Sequence, residues 1–120
     1  MKRKQFRFED LEIWQFAIEL GDDLLDIADD LEEKRLYRFA EQLRGATMSI
    51  SNNICEGSGS VSSKEFYQFL NYSRRSCYEC ANILVVIHRR QHITEETKQS
   101  LFDKLEHLSR KINNFQKALV

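Results

Sequence analysis

No proline occurs anywhere in this chain of 120 residues, and only four glycines interrupt it. Proline and glycine end helices and mark the frequent turns of strand-rich folds. A chain nearly free of both has few places to reverse, which favours long helices joined by a small number of turns. The length suits one domain with one core. Hydrophobic residues at 42% and charged residues at 31% exclude a disordered or low-complexity chain.

Hydrophobic periodicity divides the chain into four helical segments. The first, about 9–31, carries Leu11, Trp14, Ile18, Leu25 and Ala28 on one stripe and Ala17, Leu20, Leu24, Ile27 and Leu31 on an adjacent one. The second, about 36–56, aligns Phe39, Leu43, Ala46, Ile50 and Ile54, with Gly57 expected as a left-handed stop. Ser62 with Glu65 forms an S-x-x-E capping signal for the third segment, about 63–91, which runs through Phe66, Leu70, Cys77, Cys80, Leu84 and Ile87. Thr94 caps the fourth, about 95–119. There Leu101, Leu105, Leu108, Ile112, Phe115 and Leu119 alternate four- and three-residue steps, a heptad seam. Short connections between four helices predict an all-α fold, an antiparallel up-down-up-down four-helix bundle in a single domain over 1–120.

Charge is sorted along the chain. Residues 9–33 hold eleven acids and no Lys or Arg, while the remainder holds eighteen basic and eight acidic residues. A basic tail, 1–7, precedes the acidic segment and lacks the apolar stretch of a signal peptide. No uncharged run approaches a membrane span, residues 80–88 being the most apolar and too short. Three cysteines without an export signal point to a reducing cytoplasm rather than to a disulfide framework.

The second segment also carries a polar line. Gln42, Ser49, Asn53 and Glu56 are spaced seven, four and three apart, and within 45–55 the Cys55 thiol is the sole ionisable group. Such a line is either solvated or buried at a contact where each polar group needs a partner. In a hairpin turning near Gly59, facing residues have numbers summing to about 119 or 120, to within one turn. That register sets Glu56 beside the free N–H groups that open the third helix, Asn53 near Phe66, and Arg44 within reach of Ser76 and Glu79. The expected structural network is therefore Gln42, Arg44, Ser49, Asn53, Glu56, Ser76 and Glu79, with an Arg44–Glu79 ion pair.

These residues carry a resemblance. Phe8-Glu9-Asp10-Leu11-Glu12-Ile13-Trp14-Gln15-Phe16-Ala17, Gln42-Leu43-Arg44, Ser49-Ile50, Asn53-Ile54-Cys55-Glu56-Gly57, Ser62-x-x-Glu65-Phe66 and Ser76-x-x-Glu79 occur in order over about 8–84. They resemble the bacterial four-helix bundle family whose founding members are encoded within intervening sequences of 23S ribosomal RNA genes, the so-called S23 ribosomal protein family. The Asn-Ile-x-Glu-Gly string is the specific part. The chain departs from the family pattern in Cys55 where Ala is usual, in Ser60 where a basic residue is usual, and in having no Pro before the second helix. Loss of the basic loop residue weakens the case for an anion site at 58–64. The resemblance implies a left-handed bundle, pentameric rings, no catalysis, and an association with RNA. Distantly similar bundles accompany reverse transcriptases of diversity-generating retroelements, which adds a nucleic-acid-processing protein to the implied partners.

Nothing in the sequence specifies a catalytic site, cofactor or metal. Cys77-Tyr78-Glu79-Cys80 matches C-x-x-C but falls in mid-helix with no preceding strand, and both thiols lie on the apolar stripe. His88 and His92 have metal-ligand spacing but adjoin Arg89 and Arg90, whose charge opposes a cation. Gly57-x-Gly59 lacks the strand and the Lys-Ser/Thr ending of a phosphate loop. Two functions are expected in consequence. One is a homo-oligomeric scaffold in which the acidic first helix meets a basic surface of the next copy. The other is an RNA-binding module using Lys34, Arg35, Arg38, Arg74, Arg75, Arg89, Arg90, Arg110 and Lys111.

Overall fold

The computed structural model describes residues 5–120. A short 3-10 helix, Arg7–Asp10, precedes four α-helices: α1 (Glu12–Glu33), α2 (Tyr37–Ser58), α3 (Ser63–Arg89) and α4 (Glu95–Ala118). Among the described residues there is no strand. α1 packs on α2 and α4, and α3 packs on the same two helices, while α1 and α3 stand at opposite corners.

The four helices bury one apolar cluster. Leu20, Leu24 and Leu31 come from α1, Leu43, Ile50 and Ile54 from α2, Leu70, Leu84 and Ile87 from α3, and Leu101, Leu108 and Ile112 from α4. Each such side chain contributes roughly 1.5–3 kcal/mol by leaving water. Of the two stripes on α1, the one through Ala17, Leu20, Leu24 and Leu31 is the buried one. Ile18, expected on the other stripe, is 38% exposed.

Helix α1 opens later than its periodicity suggests. Leu11 is extended (φ -80°, ψ 122°) and separates it from the 3-10 helix. That break lets the Phe8 ring meet the edge of Trp14 at 4.8 Å. Residues 1–4 of the expected tail lie outside the described residues, but Arg7 is packed on the bundle. Its Nη1 donates to the Ser58 carbonyl (3.4 Å) and its guanidinium lies 5.3 Å from the centre of the Phe66 ring.

Two connections use the same device. Arg35 and Gln91 both adopt left-handed φ, 64° and 66°. In each case the next N–H reaches back to the helix, Leu36 N to Leu31 O at 2.9 Å and His92 N to Ile87 O at 2.8 Å. These are Schellman closures, built without the glycine that usually occupies the left-handed position. The connections lie side by side, because Lys34 Nζ donates to the His92 carbonyl at 3.5 Å and the Phe39 ring faces His92 at 6.1 Å. The two caps at helix starts are side-chain caps: Ser62 Oγ accepts from Glu65 N and Thr94 Oγ1 from Thr97 N, both at 3.1 Å.

Gly57 is not the expected stop. It lies inside α2, and no glycine among the described residues has positive φ. Its role is steric: a Cβ there would fall 2.8 Å from Phe66 Cδ1 and 2.8 Å from Phe69 Cβ. The extra residues of α2 shift the register of the α2–α3 pair. Ser49 meets Ser76 and Ser73 meets the Ile50 carbonyl, both at 2.8 Å. Facing numbers thus sum to 125 and 123, about one turn beyond the register expected from a turn at Gly59.

The four glycines make a direct test of this packing. Gly57→Ala should lose on the order of 1–3 kcal/mol by overpacking. Gly45→Ala, with nothing within 4 Å of the new methyl group, should gain about 0.5–1 kcal/mol from helix propensity. Urea midpoints of the two variants should move in opposite directions.

Candidate functional site

The polar line on α2 divides into three parts. Its centre is a real network between helices. Asn53 Nδ2 donates to the Ser49 carbonyl (2.7 Å) and to Ser49 Oγ (3.0 Å), and Ser76 Oγ lies 2.8 Å from Ser49 Oγ and donates to the Tyr72 carbonyl (3.1 Å). Its ends, Gln42 and Glu56, are exposed. Glu56 does not cap α3 as expected, since the Ser62 hydroxyl already takes that place. Asn53, for its part, spends its amide within its own helix rather than near Phe66.

Arg44 turns the other way. Its Nη2 meets Asp29 Oδ1 and its Nη1 meets Glu32 Oε1, each at 2.7 Å, so the expected pair with Glu79 does not form. α2 meets α3 through Thr47, the Ile50 carbonyl and Gly57, whereas Arg44 turns to the side of α1. There the acids of α1 wait for it. Glu79 is left exposed on α3.

Sequence reasoning missed five buried polar residues, of which Ser51 and Ser58 bond carbonyls of their own helix and three reach across the core. Ser73 is fully buried, with its hydroxyl bonded to the Ile50 carbonyl. Thr47 Oγ1 lies 3.9 Å from Cys80 Sγ. Gln116 is 1% exposed, with Nε2 donating to the Tyr67 carbonyl at 3.1 Å and Oε1 left without a partner. The available signal was a small or amide side chain falling on an apolar stripe, at 73 and one step after Phe115.

Burial pushes the Cys77 and Cys80 thiols up to about 12, with the neighbouring Cys80 adding to the effect on Cys77. Both therefore stay protonated and unreactive near neutral pH. His88 Nε2 lies 2.9 Å from Glu95 Oε2 while His92 lies against Phe39, so the two imidazoles serve different partners. No group of three metal-ligating side chains converges among the described residues.

The acidic helix has two kinds of acid. Those on its flanks are matched by neighbouring helices: Asp29 and Glu32 by Arg44 on α2, Asp23 by Lys104 on α4 at 2.7 Å, and Glu12 by Lys111 on α4. The Lys111 ammonium holds the Glu12 carboxyl below its usual range. Asp30 pairs with Lys34 at 2.9 Å. The outward stripe, Glu19, Asp22, Asp26 and Glu33, steps by three, four and seven residues, and forms no ion pair among the described residues. Part of the charge sorting is thus an internal matter, and the rest faces solvent.

The nine basic candidates divide likewise. Lys34 and Lys111 are held by Asp30 and Glu12, and Arg110 by Glu106. Arg35, Arg38, Arg89 and Arg90 belong to the same end of the bundle, where the two Schellman turns adjoin. Arg74 and Arg75 stand farther along α3. None of these six makes an ion pair among the described residues. Arg74 also lines a cleft of about 400 Å³ between α3 and α4, floored by Cys77, Ala81, Phe102 and Leu105, and its Nε is buried without a partner.

Fold and surface together define an all-helical protein of four helices in which, among the described residues, unpaired acids line the outward face of α1 and unpaired arginines outnumber unpaired acids on α3. The chain belongs to the 23S rRNA-intervening sequence protein family, whose profile matches residues 9–114. Its fold is similar to the 1.70 Å crystal structure of a protein with unknown function from the S23 ribosomal protein family of Bacteroides thetaiotaomicron VPI-5482. That likeness has a TM-score of 0.83 at 20% identity, covering 88% of this chain and 98% of the other. No curated protein matches the sequence. No helix among the described residues is long and apolar enough to cross a membrane.

The polar network yields a contrast within one helix. Asn53→Ala should cost about 1 kcal/mol by leaving Ser49 short of a donor. Glu56→Ala, at an exposed site with no side-chain partner among the described residues, should fall within about 0.5 kcal/mol of the unmodified protein. Parallel urea titrations of the two variants check this.

Proposed function

We propose that this protein is a non-enzymatic, self-assembling scaffold. It is a single-domain, left-handed, up-down-up-down bundle that closes head to tail into a homo-oligomeric ring of five. The observation that carries this reading is the pair of unmatched faces at opposite corners. One is acidic, Glu19, Asp22, Asp26 and Glu33 on α1, and the other basic, Arg74, Arg75 and Arg89 on α3. A surface of one sign on one side and the other sign opposite favours contact between unlike faces of successive copies, and such contacts close into rings when the rotation allows. The number five comes from the family resemblance. Three free thiols, two of them in the core, suit the reducing cytoplasm. Light scattering after size exclusion at micromolar concentration should give a mass several times that of one chain. A monomer mass would remove the scaffold reading.

A second reading has its own support in the cluster of Arg35, Arg38, Arg89 and Arg90 at one end of the bundle. In a ring these ends line one rim, where phosphates of a structured RNA meet a continuous basic surface with little regard to sequence. The family name fits this reading, as does a nucleic-acid-processing protein as an additional partner. Filter binding should then show affinity that falls steeply with salt and is reduced by Arg38→Glu with Arg90→Glu while the assembly stays intact. No RNA retained at low salt leaves protein partners alone.

A further inference from the structure

The two Schellman turns supply a common height for α1 and α3. Arg35 closes one helix and Gln91 the other at equivalent left-handed positions, and the turns lie side by side. Counting back from 35 and 91, each α1 residue stands level with the α3 residue 56 positions further on. The core gives nearly the same offset by another route. A Cβ placed on Gly21 would lie 3.6 Å from Thr47 Cγ2, and Thr47 Oγ1 lies 3.9 Å from Cys80 Sγ, so Gly21 and Cys80 flank the same residue, a difference of 59 and within one turn of 56.

This count matches the charges. Glu19 stands level with Arg75, Glu33 with Arg89, and Asp22 with Tyr78, one turn from Arg74. The acids and arginines are each fourteen residues apart, about 21 Å of helix. They occupy opposite corners of one bundle and so do not meet within a chain. A second copy placed alongside, by rotation about an axis parallel to the helices, keeps every height and brings its acids to these arginines. A two-fold contact sets each face against itself, acid on acid or arginine on arginine, which disfavours it.

We infer that the outward face of α3, through Arg74, Arg75, Tyr78 and Arg89, is the docking surface for α1 of a second copy, which presents Glu19, Asp22 and Glu33 at the same height. The inference rests on the scaffold reading and adds the surface and its register. Two features of α3 suit an occupant. Tyr78 is 68% exposed and Val86, about two turns further along α3, 37%, giving apolar area, and Arg74 Nε is buried without a partner among the described residues. Exposed ion pairs contribute little each, but they select the partner and the register.

The test is a charge swap read by sedimentation velocity, with helix content from circular dichroism. Arg75→Glu with Arg89→Glu, and separately Glu19→Arg with Glu33→Arg, should each weaken assembly on the order of tenfold or more. All four substitutions in one chain should restore it. None of these side chains makes an ion pair among the described residues, so each variant should keep its helix content. If the unmodified protein assembles and both reversals assemble equally well, another face holds the oligomer: this surface is wrong while the scaffold reading stands. A four-fold variant that folds but stays monomeric overturns the register. A monomeric unmodified protein overturns the scaffold reading and this inference together.

Discussion

The close approach of α2 and α3 is the constraint on which the rest of the bundle depends. At one end Gly57 has no side chain to hold Phe66 and Phe69 away. Farther along, the facing positions are Ile50, Ser49 and Thr47 against Ser73, Ser76 and Cys80. Small side chains let the backbones come near, and the hydroxyls that come with them find partners across the seam, Ser73 on the Ile50 carbonyl and Ser76 on Ser49. A buried hydroxyl without such a partner would destabilise the seam it is meant to close. Size and satisfaction are thus solved by the same residues, and together they fix the register of the hairpin.

Charge then organises what surrounds that hairpin. An isolated helix with eleven acids in and just before it repels itself. Arg44 from one neighbour and Lys104 and Lys111 from the other relieve its two flanks, tying α1 into the bundle from both sides. What remains faces outward and forms no ion pair among the described residues. The diagonal helix is left with the opposite surplus, so the sorting seen along the sequence becomes a sorting between two corners in space.

Much of the architecture was legible because helical periodicity is a local property. Four helices, the Ser62 and Thr94 caps and the buried seam of α4 all follow from residues a few positions apart. The family was legible from an ordered set of short strings. What escaped reading depended on a third helix or on a backbone angle. A hairpin by itself pairs Arg44 with α3, and the acids of α1 on its other side decide otherwise. Gly57 looked like a stop, since glycine signals a turn more often than a close contact. The two left-handed residues, Arg35 and Gln91, carry no sequence signal at all. Of the polar line, its middle survived because Ser49 and Asn53 face the seam, while Gln42 and Glu56 lie where the helix turns to solvent.

The cleft beside α4 has a consequence for how the molecule breathes. α4 meets α3 across an open groove, whereas α2 and α3 meet backbone to backbone at Gly57 and through hydroxyls buried between them. Cooperative units of a protein open in order of their local stability. α4 is thus the helix that detaches first in sub-global opening, and its amide hydrogens trade with solvent ahead of those in the α2–α3 hairpin. The last part of the chain to melt is the pair of helices carrying the Asn-Ile-x-Glu-Gly string.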